Sequence, residues 1–267
     1  MQIGIGAAQL RPELNLEFLT IFEHSVKESI LIHSCDSYPN TNIYFEITKK
    51  KKLPQPKIIT KILINKNPLK KIINITKEID HYMFKFNTSK LQYLQICNNP
   101  HKNFFNQFLL KNILSKNKNK FEKVVLDCFF SYSKNILNLI EDKTYSGIVT
   151  TLNLFQSGAS FDLLNKIKTL NKEIIIISPF ASGKLKFLYD NLNNDEKKFI
   201  TSLKKKYNQE LETINLMYLK SLYSVKYIIL GTRNFNRFKT LISATNFNRS
   251  LTEDEIHKIS KIQKPFH

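Results

Sequence analysis

The chain is predicted to be an α/β protein, a single-domain (β/α)8 barrel of the TIM type spanning residues 1–267. Three observations lead there: eight short apolar runs recur along the chain, stretches with apolar residues at helical spacing lie between most of them, and no Pro- or Gly-rich linker interrupts the series. Strands alternating with helices pair in parallel through right-handed crossovers, and eight such units in about 250 residues suit a closed barrel. The competing fold is an open doubly wound sheet, which carries a Gly-rich turn after its first strand when it binds a dinucleotide. Gly4-Ile5-Gly6-Ala7-Ala8-Gln9 stops short of G-x-G-x-x-G, and no helix begins at that point.

The first run, 2–8, opens the barrel. Helical spacing over 16–22 leads to a second strand at 30–34. The third strand, 58–64, follows a lysine run at 49–52 and a Pro-flanked continuation at 53–56, which read as a solvated loop. A helix at 69–84 precedes the strand at 91–97, one at 104–114 the strand at 124–128, and one at 136–140 the strand at 148–152. A helix at 161–170 leads to the strand at 173–178, and one long helix at 199–222 leads to the last strand, 227–230.

Composition narrows the function classes. The longest purely aliphatic run, 174–177, is far below the ~20 apolar residues of a membrane span. The N-terminal residues lack the basic stretch and apolar core of a secretory signal. Three cysteines (Cys35, Cys97, Cys128) are too few for a disulfide scaffold, so a reducing, cytoplasmic setting is expected. The net charge of +19 invites nucleic acid, yet only four of the 41 basic residues are arginine. Bidentate phosphate and guanine recognition favours Arg, and the lysines are spread along the chain, so a lysine-coated surface is expected without specific nucleic-acid binding. Codons rich in A and T encode Lys, Asn and Ile, which fits this composition. His33, Cys35, Cys97 and Cys128 fall near predicted strand ends, but without tight ligand spacing they read as packed side chains and not as a metal site.

In a barrel, chemistry gathers at the carboxyl ends of the strands. There Ile3-Gly4-Ile5-Gly6-Ala7-Ala8-Gln9 looks like "lGlGtaq", Ile32-His33-Ser34-Cys35-Asp36-Ser37-Tyr38 like "fDTAxxYG", and Lys57-Ile58-Ile59-Thr60-Lys61 like "iisTK". Tyr93-Leu94-Gln95-Ile96-Cys97-Asn98-Asn99-Pro100 is similar to "DllqlHwP", and Ile176-Ile177-Ser178-Pro179-Phe180-Ala181-Ser182-Gly183-Lys184-Leu185 to "aysPLasGlL". Ile229-Leu230-Gly231-Thr232-Arg233-Asn234, then Arg237 and Leu251-Thr252-Glu253-Asp254-Glu255-Ile256, are similar to "piiGtrn…r…Lteeel". In order and spacing these segments resemble the aldo-keto reductase superfamily over essentially the whole chain.

The resemblance implies a (β/α)8 barrel that binds NADP(H) without a separate dinucleotide domain and acts on a small-molecule carbonyl. In that family a Tyr donates the proton, a Lys lowers its pKa, an Asp pairs with the Lys, and a His positions the carbonyl oxygen. By position Tyr38 and Lys61 match the first two, whereas His33 stands at the Asp position and Asn98 at the His position. A neutral His33 can accept a hydrogen bond from Lys61 but brings no counter-charge; a protonated one repels the ammonium. The Asn98 amide can still donate to a carbonyl oxygen, and Asp36 is a candidate for the missing carboxylate.

On the cofactor side the resemblance points to Ser178, Ser182, Gly183, Gly231, Thr232, Arg233 and Arg237 as phosphate contacts, with Arg237 matched to an adenosine 2′-phosphate. The family's carboxamide-binding "SN" falls near Cys128-Phe129, its "QxxyN" keeps only Asn153, and its final "EN" reads Thr240-Leu241. Two functions are therefore carried forward: an NADP(H)-dependent oxidoreductase, and a diverged non-catalytic barrel acting as a binding or accessory protein.

Overall fold

In a computed structural model of the chain, the structure describes all residues except 9–14, 36–37, 39–40, 65–67, 98–103, 130, 132, 223, 246–249 and 267. The first half alternates strand and helix: β1 (Gln2–Gly6), α1 (Leu16–Lys27), β2 (Leu31–Ser34), α2 (Thr41–Lys50), β3 (Ile58–Leu63), α3 (Pro68–Lys85), β4 (Leu91–Cys97) and α4 (Phe104–Lys116). The chain continues through β5 (Phe121–Cys128), α5 (Ser133–Leu139), β6 (Gly147–Thr151), β7 (Gln156–Ser157), α6 (Phe161–Thr169) and β8 (Glu173–Ile177). Three helices, α7 (Leu185–Asp190), α8 (Asn194–Tyr207) and α9 (Leu211–Ser221), precede β9 (Val225–Leu230). Two more, α10 (Phe235–Ala244) and α11 (Glu253–Ile262), lead to β10 (Lys264–Pro265).

Strands β1 to β6, β8 and β9 close a barrel in which every neighbouring pair is parallel. The eight strands are those read from the sequence, with boundaries shifted by a few residues. Leu31, Ile59, Tyr93, Val125, Val149, Ile175, Tyr227 and Ile229 form the packed interior. Strand β1 adds glycine instead: a Cβ on Gly4 would lie 2.5 Å from Ile229 Cδ1 and 2.9 Å from the Leu31 carbonyl oxygen. The larger apolar cluster fills the layer between strands and helices, as burying both faces of a parallel sheet requires. At the amino-terminal end Glu173 accepts from Tyr93 Oη (2.8 Å) and pairs with Lys123 Nζ (2.5 Å).

Two expectations change. The lysine run at 49–52 is not all loop, because Lys49 and Lys50 form the last turn of α2, where cations meet the negative end of the helix. The single helix expected over 199–222 is two helices, since Asn208 adopts a left-handed backbone (φ 50°) that ends α8. After α11, β10 pairs with β7, and Phe266 stacks on Phe129 at 6.4 Å, beside the carboxyl end of β5. None of the described helices is long and apolar enough to cross a membrane.

Candidate active site at the carboxyl end of the barrel

Strand alternation sends every second residue of the barrel inward. Continuing past Leu31, Ile59, Tyr93 and Val125, the next inward positions are His33, Lys61, Gln95 and Asp127. Register fixes their heights, with His33 opposite Ile59 on β3, Lys61 opposite Gln95, and Gln95 opposite Val125. A polar layer from four adjacent strands therefore caps the apolar interior.

Tyr38, just beyond β2, meets this layer: Lys61 Nζ lies 5.3 Å from its ring centroid. The structure thus brings together the two residues that the sequence places 23 positions apart. His33 meets the Tyr38 ring edge-on at 5.9 Å. Its Nε2 lies 3.0 Å from Gln95 Oε1, and Gln95 Nε2 donates to Asp127 Oδ1 at 2.6 Å. With the amide nitrogen committed to Asp127, the Gln95 oxygen must accept, so His33 carries its proton on Nε2.

Electrostatics resolve the question left by His33. Burial, and then the Lys61 charge, bring its pKa down to about 3, so the imidazole is neutral and supplies no counter-charge. Burial alone would lower the pKa of Lys61, but the Tyr38 oxygen, the Cys97 thiol and Asp127 hold it above the ordinary lysine value. Burial raises the Tyr38 phenol more strongly than Lys61 lowers it. It also raises the Asp127 carboxyl, against the pull of Lys61, Gln95 and Cys97. The Cys97 thiol is pushed well up, by burial first and then by the Asp127 charge.

Gln95 and Asp127 were missed as site residues. Asp127 sits in Val124-Val125-Leu126-Asp127-Cys128, which reads as an apolar strand. The available signal was parity, since Asp127 is two residues beyond an inward valine. Asn98 and Asp36 lie outside the described residues. Cys128 donates to the Gly158 carbonyl oxygen at 3.3 Å and is buried. Asn153 is fully buried, and its Oδ1 accepts from the backbone N–H groups of Phe155 and Gln156, each at 3.0 Å. This turn stands apart from the residues lining the cleft described next.

One cleft of about 590 Å³ joins His33, Tyr38 and Lys61 to the segments after β8 and β9. After β8, Ser178 (φ 51°), Ala181 (φ 48°), Ser182 (φ 55°) and Gly183 (φ 88°) all have left-handed backbone. For non-glycine residues this costs about 1–2 kcal/mol each, strain that proteins keep chiefly at ligand-binding loops. After β9, Gly231, Thr232, Arg233 and Arg237 line the same cleft. Asn234 caps α10 by accepting from Arg237 N–H at 2.8 Å, which sets the positive end of the helix beside the cleft. Arg237 is half-exposed and already pairs with Glu212 of α9 at 2.9 Å.

These residues fit the phosphate-bearing half of a nicotinamide dinucleotide. The donor set is hydroxyls, guanidinium groups and a helix N-terminus, and a Cβ at Gly183 or Gly231 would meet nothing within 4 Å, so the backbone there is open to approach. The Cys128 thiol and the Asn153 carboxamide oxygen, which the resemblance alone matches to nicotinamide contacts, already hold backbone groups.

No protein-family model matches the sequence, and no curated protein is significantly similar to it. Solved structures do match in fold. A protein assigned as a 2,5-diketo-D-gluconic acid reductase B superposes with a TM-score of 0.71 at 15% identity, over 98% of this chain and 88% of its own. A thermostable aldo-keto reductase crystallised with the inhibitor epalrestat superposes with a TM-score of 0.72 at 12% identity, over 97% of this chain and 94% of its own. The chain has the fold of the aldo-keto reductases, the superfamily that its sequence resembles.

Proposed function

We propose that the chain is an NADP(H)-dependent oxidoreductase of aldo-keto reductase type, interconverting a small-molecule carbonyl and its alcohol. The observation that carries this reading is that the Tyr38–Lys61 pair and both phosphate-type loops line one cleft. The solved neighbours named as reductases support an oxidoreductase.

Ser178, Ser182, Gly183, Gly231, Thr232 and Arg233 would hold the dinucleotide, with Arg237 placed for the 2′-phosphate. Held there, the dinucleotide would supply the hydride. The chain's own groups manage the proton. Tyr38 keeps its proton through the neutral range because burial outweighs the pull of Lys61, so it is a donor toward a carbonyl oxygen. The Lys61 ammonium stabilises the phenolate left behind. His33, neutral and with its N–H directed to Gln95, does not compete for that proton. Asn98, by its position in the sequence, is assigned to orient the carbonyl oxygen, and three free thiols suit a reducing cytoplasm.

Titration with NADPH, followed by cofactor fluorescence and by the melting temperature, is expected to show saturable binding; no binding at millimolar cofactor removes the reading. Tyr38→Phe is expected to lower kcat by about 100-fold or more while leaving NADPH affinity unchanged. Full turnover in that variant would remove Tyr38 as the proton donor, whereas a wild-type chain that binds NADPH but turns over no carbonyl would support instead a barrel that binds without catalysing.

A further inference from the structure

A half-buried ammonium at a barrel mouth needs an opposing charge, or burial drives it toward the neutral amine. Among the described residues, the titratable groups that act on Lys61 are Tyr38 from beyond β2, His33 on β2, Cys97 on β4 and Asp127 on β5. Tyr38 and Cys97 retain their protons and His33 is neutral. Lys61 lies opposite Gln95 and Gln95 opposite Val125, so inward-facing Asp127 stands one inward step above Lys61, two strands away. Asp127 is the one carboxylate among the described residues that acts on Lys61. It is held in place, because Gln95 donates to Oδ1 at 2.6 Å while its own oxygen accepts from His33 at 3.0 Å. The chain His33–Gln95–Asp127 thus crosses from the strand where the resembled family keeps a carboxylate to a strand three positions around the barrel.

We propose that Asp127 is the counter-charge and positioning residue for Lys61, with Gln95 as its brace, so that the carboxylate of this site stands on β5 instead of β2. The geometry behind it is a continuous buried hydrogen-bonded path of three side chains across β2, β4 and β5, with Lys61 on the intervening strand. Asp127 acts on the Tyr38 proton only through Lys61. The catalytic meaning of this pairing rests on the reductase reading; the pairing itself does not.

Competitive acetylation with acetic anhydride across a pH series, read by peptide mass spectrometry on the folded chain, measures the titration midpoint of Lys61 without any turnover. Asp127→Asn is expected to lower that midpoint by about one pH unit or more, a tenfold rise in free amine below it. Adding His33→Asp to that variant is expected to restore the midpoint, an outcome that a purely structural role for Asp127 would not produce. An unchanged Lys61 midpoint in folded Asp127→Asn overturns the proposal. Should that variant fail to fold, the reciprocal measurement decides. In Lys61→Met the Asp127 carboxyl, followed by 13C NMR, is expected to titrate at higher pH than in the wild type, and an unshifted midpoint overturns the pairing. A wild-type chain that reduces no carbonyl with NADPH removes the reductase reading but leaves these midpoints measurable, so the two failures are distinct.

Discussion

His33 is buried in the barrel mouth with its pKa brought down to about 3, and this makes it an acid-sensitive point of the fold. Below the ordinary imidazole value of 6.5 the unfolded chain takes up a proton that the folded chain refuses. Stability from this group is therefore complete above pH 6.5 and is lost as the pH falls toward 3. At about 1.4 kcal/mol per pH unit the loss reaches roughly 3 kcal/mol by pH 4. His33→Gln, which keeps a donor for Gln95, is expected to unfold in urea with a midpoint that falls less between pH 7 and pH 4 than the wild type's. Equal falls in the two proteins would show that the imidazole does not resist protonation. Asp127 shifts the opposite way, but it is present in both proteins and cancels in the comparison. At this scale the sequence exposed His33 as a departure from the resembled motif. It did not expose Asp127, because an inward carboxylate and an apolar strand residue differ only in parity once the barrel closes.

Among the elements, the most consequential break is at Asn208. Its left-handed backbone ends α8 and starts α9 as a separate helix, whose first turn carries Glu212 to Arg237 on α10. A continuous apolar periodicity from 199 to 222 hides that break, so the pairing was not legible in the chain. The pair is half-exposed, where such contacts are worth about 0–1 kcal/mol. Removing the carboxylate frees the guanidinium for a cofactor phosphate. Glu212→Gln is expected to tighten NADPH binding a few-fold, and Arg237→Met to weaken NADPH more than NADH, both read from fluorescence titrations. Equal effects of Arg237→Met on the two cofactors would remove Arg237 from the 2′-phosphate role. By contrast α11 opens on a local signal that was not read from the sequence: Thr252 and Glu255 form a reciprocal capping box, and Glu255 also accepts from Tyr207 Oη at 2.7 Å.

The barrel as a whole depends on a few places where strands approach too closely for any side chain. Gly147 opens β6, and a Cβ there would lie 1.9 Å from the Glu173 carbonyl oxygen on β8. The contact is with backbone, so no rotamer change relieves it. Gly147→Ala is expected to lower the melting temperature by about 10 °C or more, or to leave the chain insoluble. A melting temperature within a degree or two of the wild type would mean that the β6–β8 seam can open without cost.

The linear sequence was sufficient for the barrel. Strand and helix periodicities are local, eight repeats of them in this length have few ways to pack, and the Tyr38, Lys61 and phosphate-loop motifs each lie within a handful of residues. Only the closed tertiary structure decided how the site is charged. The neutrality of His33, the brace through Gln95 and the carboxylate on β5 arise from burial and from the register between strands that are distant in the chain. Desolvation and Coulomb attraction act through space, and no local pattern of residues encodes them.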